Sequence, residues 1–170
     1  MGEDTGGAIG DPASTDPVKT ALYLLRGEIV SVGGAVEWTI GHLSAAFAGP
    51  SQGGAKRQWG DVKRTVRSIG LLPRLEGQVQ EVGHYFGLRN LAAPSMTNAL
   101  QVAEATQIIR VANGGQSVEM ISLAELGAER DQVRRSHQAL QEIGRALDDA
   151  EPGCLAHLNS ILRMILMGRL

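Results

Sequence analysis

From Val18 to Phe47 the large apolar residues recur at alternating steps of three and four: Val18, Leu22, Leu25, Ile29, Val32, Val36, Ile40, Leu43 and Phe47. That period draws one stripe down a helix, so the chain is committed to a long helix whose stripe other elements must cover. Both ends are marked. Asp16 can cap the first free amides, Pro17 occupies the first helical position where a missing N–H costs nothing, and Ala48-Gly49-Pro50 stops the run. Gly33-Gly34 falls in the middle. Two adjacent glycines weaken a helix by roughly 2 kcal/mol relative to alanines, which predicts a kink or a close helix crossing there.

The rest of the chain supplies partners for this stripe. After a loop at 51–55, a second helix from about Gln58 to Ile69 presents Trp59, Val62, Val66 and Ile69 on one face. Pro73 opens a third, with Leu75, Val79, Val82 and Phe86 on one side, Glu76 and Glu81 facing elsewhere, and an end near Asn90. Residues 106–112 and 117–122 flank Asn113-Gly114-Gly115-Gln116, a turn sequence that tolerates positive φ, and read as a hairpin. Ser122 with Glu125 forms a capping box for a fourth helix, whose seam of Leu126, Val133, Leu140, Ile143 and Leu147 runs to Glu151-Pro152-Gly153. A fifth helix starts at about Cys154. Its Leu155, Leu158, Leu162, Ile165 and Leu166 are widened by Ile161, Met164 and Met167, so it is either buried centrally or left for a partner.

The expected fold is therefore mainly α, an up-down helical bundle of four or five helices with one small β-hairpin, and with the first helix packed along the third and fourth. It occupies residues 17–170 as a single domain. Residues 1–16 are rich in Gly and carry Glu3, Asp4, Asp11 and Asp16 with little to bury, which predicts a flexible tail.

A formal net charge of −2 exerts no global pull on nucleic acid or an acidic membrane, so any such partner must be met by a local patch. The lone cysteine, Cys154, has no second thiol for a disulfide or a thiolate metal site. His42, His84, His137 and His157 are scattered, and no lysine-bearing Gly loop follows a strand. No metal, cofactor or membrane span is expected, and the address expected is cytoplasmic.

One local patch stands out. Lys56, Arg57, Lys63, Arg64 and Arg67, followed by Arg74, set six positive charges against Asp61 alone. Such a face is either an ordinary solvated surface or a contact for RNA or another polyanion. Trp59 lies on its apolar side and reads as core rather than a base-stacking platform. On the fourth helix Arg130, Asp131 and His137 combine an arginine, a polar residue and a later histidine on a shared face, a pattern that charged helices also generate by chance.

Val36-Glu37-Trp38 on a long first helix, a basic second helix, a helix ending Tyr85-Phe86-Gly87-Leu88-Arg89-Asn90-Leu91-Ala92-Ala93-Pro94-Ser95, a hairpin and a further long helix together resemble the HEPN superfamily of helical-bundle proteins. Many members are metal-independent ribonucleases of toxin, phage-defence and RNA-processing systems. Their signature is an arginine, a polar residue that is often asparagine, and a histidine about a turn later. Arg89 and Asn90 match the first two positions, whereas Pro94, Ser95 and Met96 stand where the histidine is expected. Cleaving RNA through its own 2′-hydroxyl needs a group of near-neutral pKa to move a proton, and arginine to stabilise charge on the phosphate. Without the histidine, the resemblance implies a degenerate ribonuclease site in a partner, regulator or RNA-binding component of a toxin–antitoxin or defence system. The alternatives are an active metal-independent ribonuclease, with the histidine supplied from elsewhere, and a helical protein–protein interaction module unrelated to RNA. Arg89 and Asn90 also suit the plain role of ending a helix, through the dipole and a terminal left-handed turn. A homodimer is expected, from the apolar last helix and from the dimer interface at which the family commonly places its motif, and Cys154–Leu170 is the expected surface for any protein partner.

Overall fold

The computed structural model describes residues 17–92, 101–104, 107–112 and 117–167, with side chains described outside Lys19 and 89–119. The expected tail at 1–16, the turn at 113–116 and Pro94 to Met96 lie outside the described residues. Five helices and three strands follow in the order α1 (Pro17–Phe47), α2 (Ala55–Ser68), α3 (Leu72–Ala92), β1 (Gln101–Glu104), β2 (Gln107–Ala112), β3 (Ser117–Ser122), α4 (Leu123–Ala150) and α5 (Cys154–Leu166). The chain is mainly helical and forms a helical bundle, as the periodicity predicts.

α4 is the centre of the bundle. Its buried residues include Leu126, Val133, Leu140, Ile143 and Leu147, the predicted seam, and also the small Ser136, Ala139, Gly144 and Ala146. These small residues give it two close-packing sides, one taken by α1 and the other by α3. Arg130 and Arg134 meet Glu28 while Gly144 meets Leu43, so α1 and α4 run parallel. Gln132 bonds to Glu81 and Glu142 to Gln78, so α3 runs antiparallel to α4. The expectation that α1 packs along α3 and α4 is thus half corrected. α1 lies along α4 and α2. It meets α3 through Tyr85, because α4 fills the space between them.

On α1 the inward stripe of Leu22, Ile29, Val36, Ile40 and Leu43 is buried, with Leu25, Val32 and Phe47 packed at its edge. The helix continues through Gly33-Gly34, and the glycine pair marks a close crossing. The buried Tyr85 hydroxyl lies 3.1 Å from the Gly33 carbonyl and 3.0 Å from Glu37 Oε1, sharing its proton between them. A Cβ on residue 33 would stand only 3.4 Å from that oxygen, which is why glycine suits the position.

α2 begins at Ala55, a turn before the sequence predicts, because Ala55 is itself buried against the core. It closes on Gly70, at φ +78°, with Leu71 N–H donating to the Val66 carbonyl. The hairpin pairs Gln107 with Ser122 through to Ala112 with Ser117. β1 adds an unforeseen third strand, antiparallel to β2, with a register shift between Val102 and Glu104. β3 leads straight into α4 through Ser122. Its hydroxyl accepts from Glu125 N–H at 3.1 Å while its own N–H donates to Glu125 Oε2 at 2.6 Å, closing the predicted capping box.

Gly153, at φ +94°, turns the chain back after α4, and α5 packs against α1. No residue of α5 is buried. Of the two expectations for this helix, central burial is ruled out: Leu155 packs on the core edge, while Ile165 and Leu166 stand in the open, the latter 85% exposed.

Candidate nucleic-acid interface

The sequence of α2 sorts its residues by face. Ala55, Trp59, Val62 and Val66 point inward and are buried. Lys56, Gly60, Lys63 and Arg67, at steps of four, three and four, form one outward row, with Arg57 and Arg64 alongside it. All five cations of α2 are exposed on this one face. Gly60 sits in the middle of the row with nothing within 4 Å of where its Cβ would be, so the face is hollowed into a shallow trough of about 400 Å³ between Arg57, Lys63, Arg64 and Arg67. A second open cleft of about 750 Å³ joins Arg57, Asp61 and Arg64 to the loop at 48–52.

Charge pairing on this face is sparse. Arg64 is held by Asp61 one turn earlier. Lys63 Nζ lies 5.9 Å from the ring centroid of Trp59, which steers its stem along the helix surface. Among the described residues Lys56, Arg57 and Arg67 meet no carboxylate. Three cations and a fourth anchored only by an aromatic ring concentrate positive potential along about 17 Å of helix from residue 56 to 67. Trp59 is only 3% exposed, a core residue as expected, and unavailable to a stacked base.

The other sequence-predicted residues lie elsewhere. Arg89 and Asn90 fall within the last turn of α3, which continues to Ala92 rather than ending at Asn90, and their side chains are outside the described residues. Seventeen residues separate Arg89 from Leu72 at the α2-proximal end, about 25 Å along the helix, so the basic row and the Arg-Asn pair are not brought together. His84, exposed on α3, has its Nδ1 3.7 Å from Glu81 Oε2. Glu81 does not face away from the bundle. Its carboxylate accepts from Gln132 at 2.8 Å and Arg135 at 3.1 Å, and Ser136 donates to its carbonyl at 2.9 Å, clasping α3 to α4.

Arg130, weighed in the sequence as part of a pattern with His137, is occupied. It bonds Asp131 at 2.9 Å and lies 3.5 Å from Glu28, which Arg134 approaches at 3.3 Å. The hydrogen bond to Asp131 is the main reason the guanidinium is raised above its ordinary pKa, and the same bond holds the Asp131 carboxyl below its own. These contacts assign Arg130 to the α1–α4 seam.

Sequence reasoning missed a stacked pair on α1. The Trp38 and His42 rings lie 4.8 Å apart at an interplanar angle of 17°, beside a cleft of about 520 Å³ that reaches Arg145 and Asp148 on α4 and Asn159 on α5. Their four-residue spacing was the available signal. Among the described residues no group of three or more His, Cys, Asp or Glu is placed to hold a metal ion, and no helix is long and apolar enough to cross a membrane. Comparison of the chain with protein-family models, with curated proteins and with solved structures finds no match.

Proposed function

We propose that this chain is a HEPN-like helical protein with a degenerate ribonuclease site that binds RNA through the outer face of α2, as a partner, regulator or RNA-binding component of a toxin–antitoxin or defence system. The observation that carries the reading is the unneutralised row of Lys56, Arg57, Lys63 and Arg67 along one exposed helix face. Lysines and arginines so arranged meet successive backbone phosphates and bind without reading bases. The trough at Gly60 leaves room for the chain to lie close to the helix. The Arg89-Asn90 pair in the last turn of α3 supports the family resemblance, and the missing histidine supports loss of cleavage. The functional unit is a homodimer in the cytoplasm.

A fluorescein-labelled single-stranded RNA titrated with the protein in EDTA tests this reading, with anisotropy reporting binding and a denaturing gel reporting cleavage. The expected result is saturable binding at low salt with the RNA left intact. Cleavage in EDTA that disappears in Arg89→Ala overturns the degenerate site in favour of an active metal-independent ribonuclease. Failure to bind at low salt overturns the RNA reading itself. A second reading, a protein–protein interaction module working through Cys154 to Leu170, is favoured by the uncovered Ile165 and Leu166 of α5.

A further inference from the structure

The outward face of α1 carries no charge. Its positions over five turns are Thr20, Tyr23, Leu24, Gly27, Val30, Ser31, Gly34 and Trp38, and every one is exposed. Tyr23, Leu24, Val30 and Trp38 have 57–66% of their surface in the open. A chain with 20% charged residues has ample means to solvate such a face, and α3 does so on its own outer side with Glu76, Gln80 and His84. α1 is instead apolar on both sides, the pattern of a helix buried in something larger than this bundle.

The arrangement of side chains identifies what covers it. About a centre between Val30 and Ser31 the face is symmetric in size: Tyr23 and Trp38 lie equally far out, Gly27 and Gly34 closer in, with Val30 and Ser31 at the middle. An antiparallel copy of the same helix, related by a two-fold axis through that centre, sets Tyr23 against Trp38 of its mate and Gly27 against Gly34. Large meets large and small meets small. Nothing of the protein's own chain comes within 4 Å of a Cβ built on Gly27 or Gly34, so both leave room for a second backbone. Trp38 is stacked on His42 by one face only, leaving the other for an aromatic partner. At about 150–250 Å² for a whole aromatic side chain, the exposed parts of this face offer on the order of 600 Å² per copy. Two copies therefore bury on the order of 1,200 Å², the lower range of a specific interface.

We infer that the outer face of α1 is the homodimer interface, formed by antiparallel pairing of α1 with α1 of a second copy of this chain about Val30–Ser31. This assignment is independent of RNA binding, because it uses none of the α2 cations. It also places the interface on a different helix from α5.

Light scattering coupled to size exclusion on the full chain at micromolar concentration gives the first readout, with a mass of twice 18.0 kDa expected. Gly27→Arg and Gly34→Arg each reduce it to the single-chain mass. Both positions are exposed and mid-helix, where arginine is a better helix former than glycine, so the helical circular dichroism is retained. The direction of pairing is read by oxidation in a Cys154→Ser background. Tyr23→Cys mixed with Trp38→Cys gives a cross-linked species containing one of each, and neither variant links to itself. A single-chain mass for the unmodified protein overturns the proposal. So does a dimer that survives both arginine variants, or self-linking of Tyr23→Cys, which requires parallel pairing. RNA binding can fail with the dimer intact, and the dimer can fail with RNA binding intact, so the two readings are separable.

Discussion

The molecule holds two sets of arginines and lysines, and they are used in opposite ways. On α4, Arg130, Arg134 and Arg135 each reach a carboxylate on another helix: Glu28 on α1 for the first two, Glu81 on α3 for the third. On α2, Lys56, Arg57, Lys63 and Arg67 reach none among the described residues. The α4 set spends its charge inside the chain, orienting the three helices that carry the core. The α2 set leaves its charge at the surface, where a polyanion can meet it. A count of basic residues cannot separate these roles, since both helices are rich in them. What separates them is whether the fold brings a carboxylate within reach.

The largest effect that sharpens this contrast is expected on α2. Lys63→Glu combined with Arg67→Glu reverses two adjacent members of the row and weakens single-stranded RNA binding by roughly 100-fold at low salt, measured by anisotropy. The thermal midpoint stays within error of the unmodified protein, because no folded partner is lost. A large drop in midpoint instead would place these cations with the structural set.

Glu81→Ala probes the other side. It strips the clasp from Gln132 and Arg135 and lowers stability by about 1–2 kcal/mol. For a chain of this size that is a midpoint shift of about 2–8 °C, read by thermal circular dichroism. RNA affinity is unchanged, and a parallel loss of affinity would break the division between the two sets.

Asp131→Asn gives the smallest effect. The Arg130 hydrogen bond lowers the Asp131 pKa in the folded state, so the pair contributes stability above the unfolded value of about 3.9 and loses it as pH falls through the folded value. The unmodified protein therefore loses slightly more stability between pH 5 and pH 3 than Asp131→Asn does, by chemical denaturation. The difference shrinks in high salt, because the pair is exposed.

How much of this could be read beforehand depends on where the determining interaction lies. α1 runs from Pro17 to Phe47 as the sequence indicates, since both of its boundaries are set by residues within a turn of the end. The Ser122–Glu125 box is equally local and is found as drawn. β1 escaped because Gln101 to Glu104 is too short to show a period and is fixed by pairing with β2. Glu81 was assigned to the wrong surroundings because helical spacing marks the apolar stripe but not which neighbouring helix covers its flank. The same limit hid the outer face of α1, where Tyr23, Leu24, Val30 and Trp38 are set apart only by the absence of anything packed on them. For the candidate site, the cations of α2 and the buried position of Trp59 were legible from one helical period. Their lack of carboxylate partners was not, since that depends on the arrangement of the other helices.

The most direct test of the central claim is the salt dependence of RNA binding by the unmodified protein. Four unneutralised cations on one helix face, each displacing a counterion from a single strand, predict a slope of log affinity against log salt of about −3. Lys63→Glu/Arg67→Glu reduces that slope toward −1 or less. A slope near zero, or one unchanged by the double substitution, would contradict the assignment of α2 as the RNA-binding face.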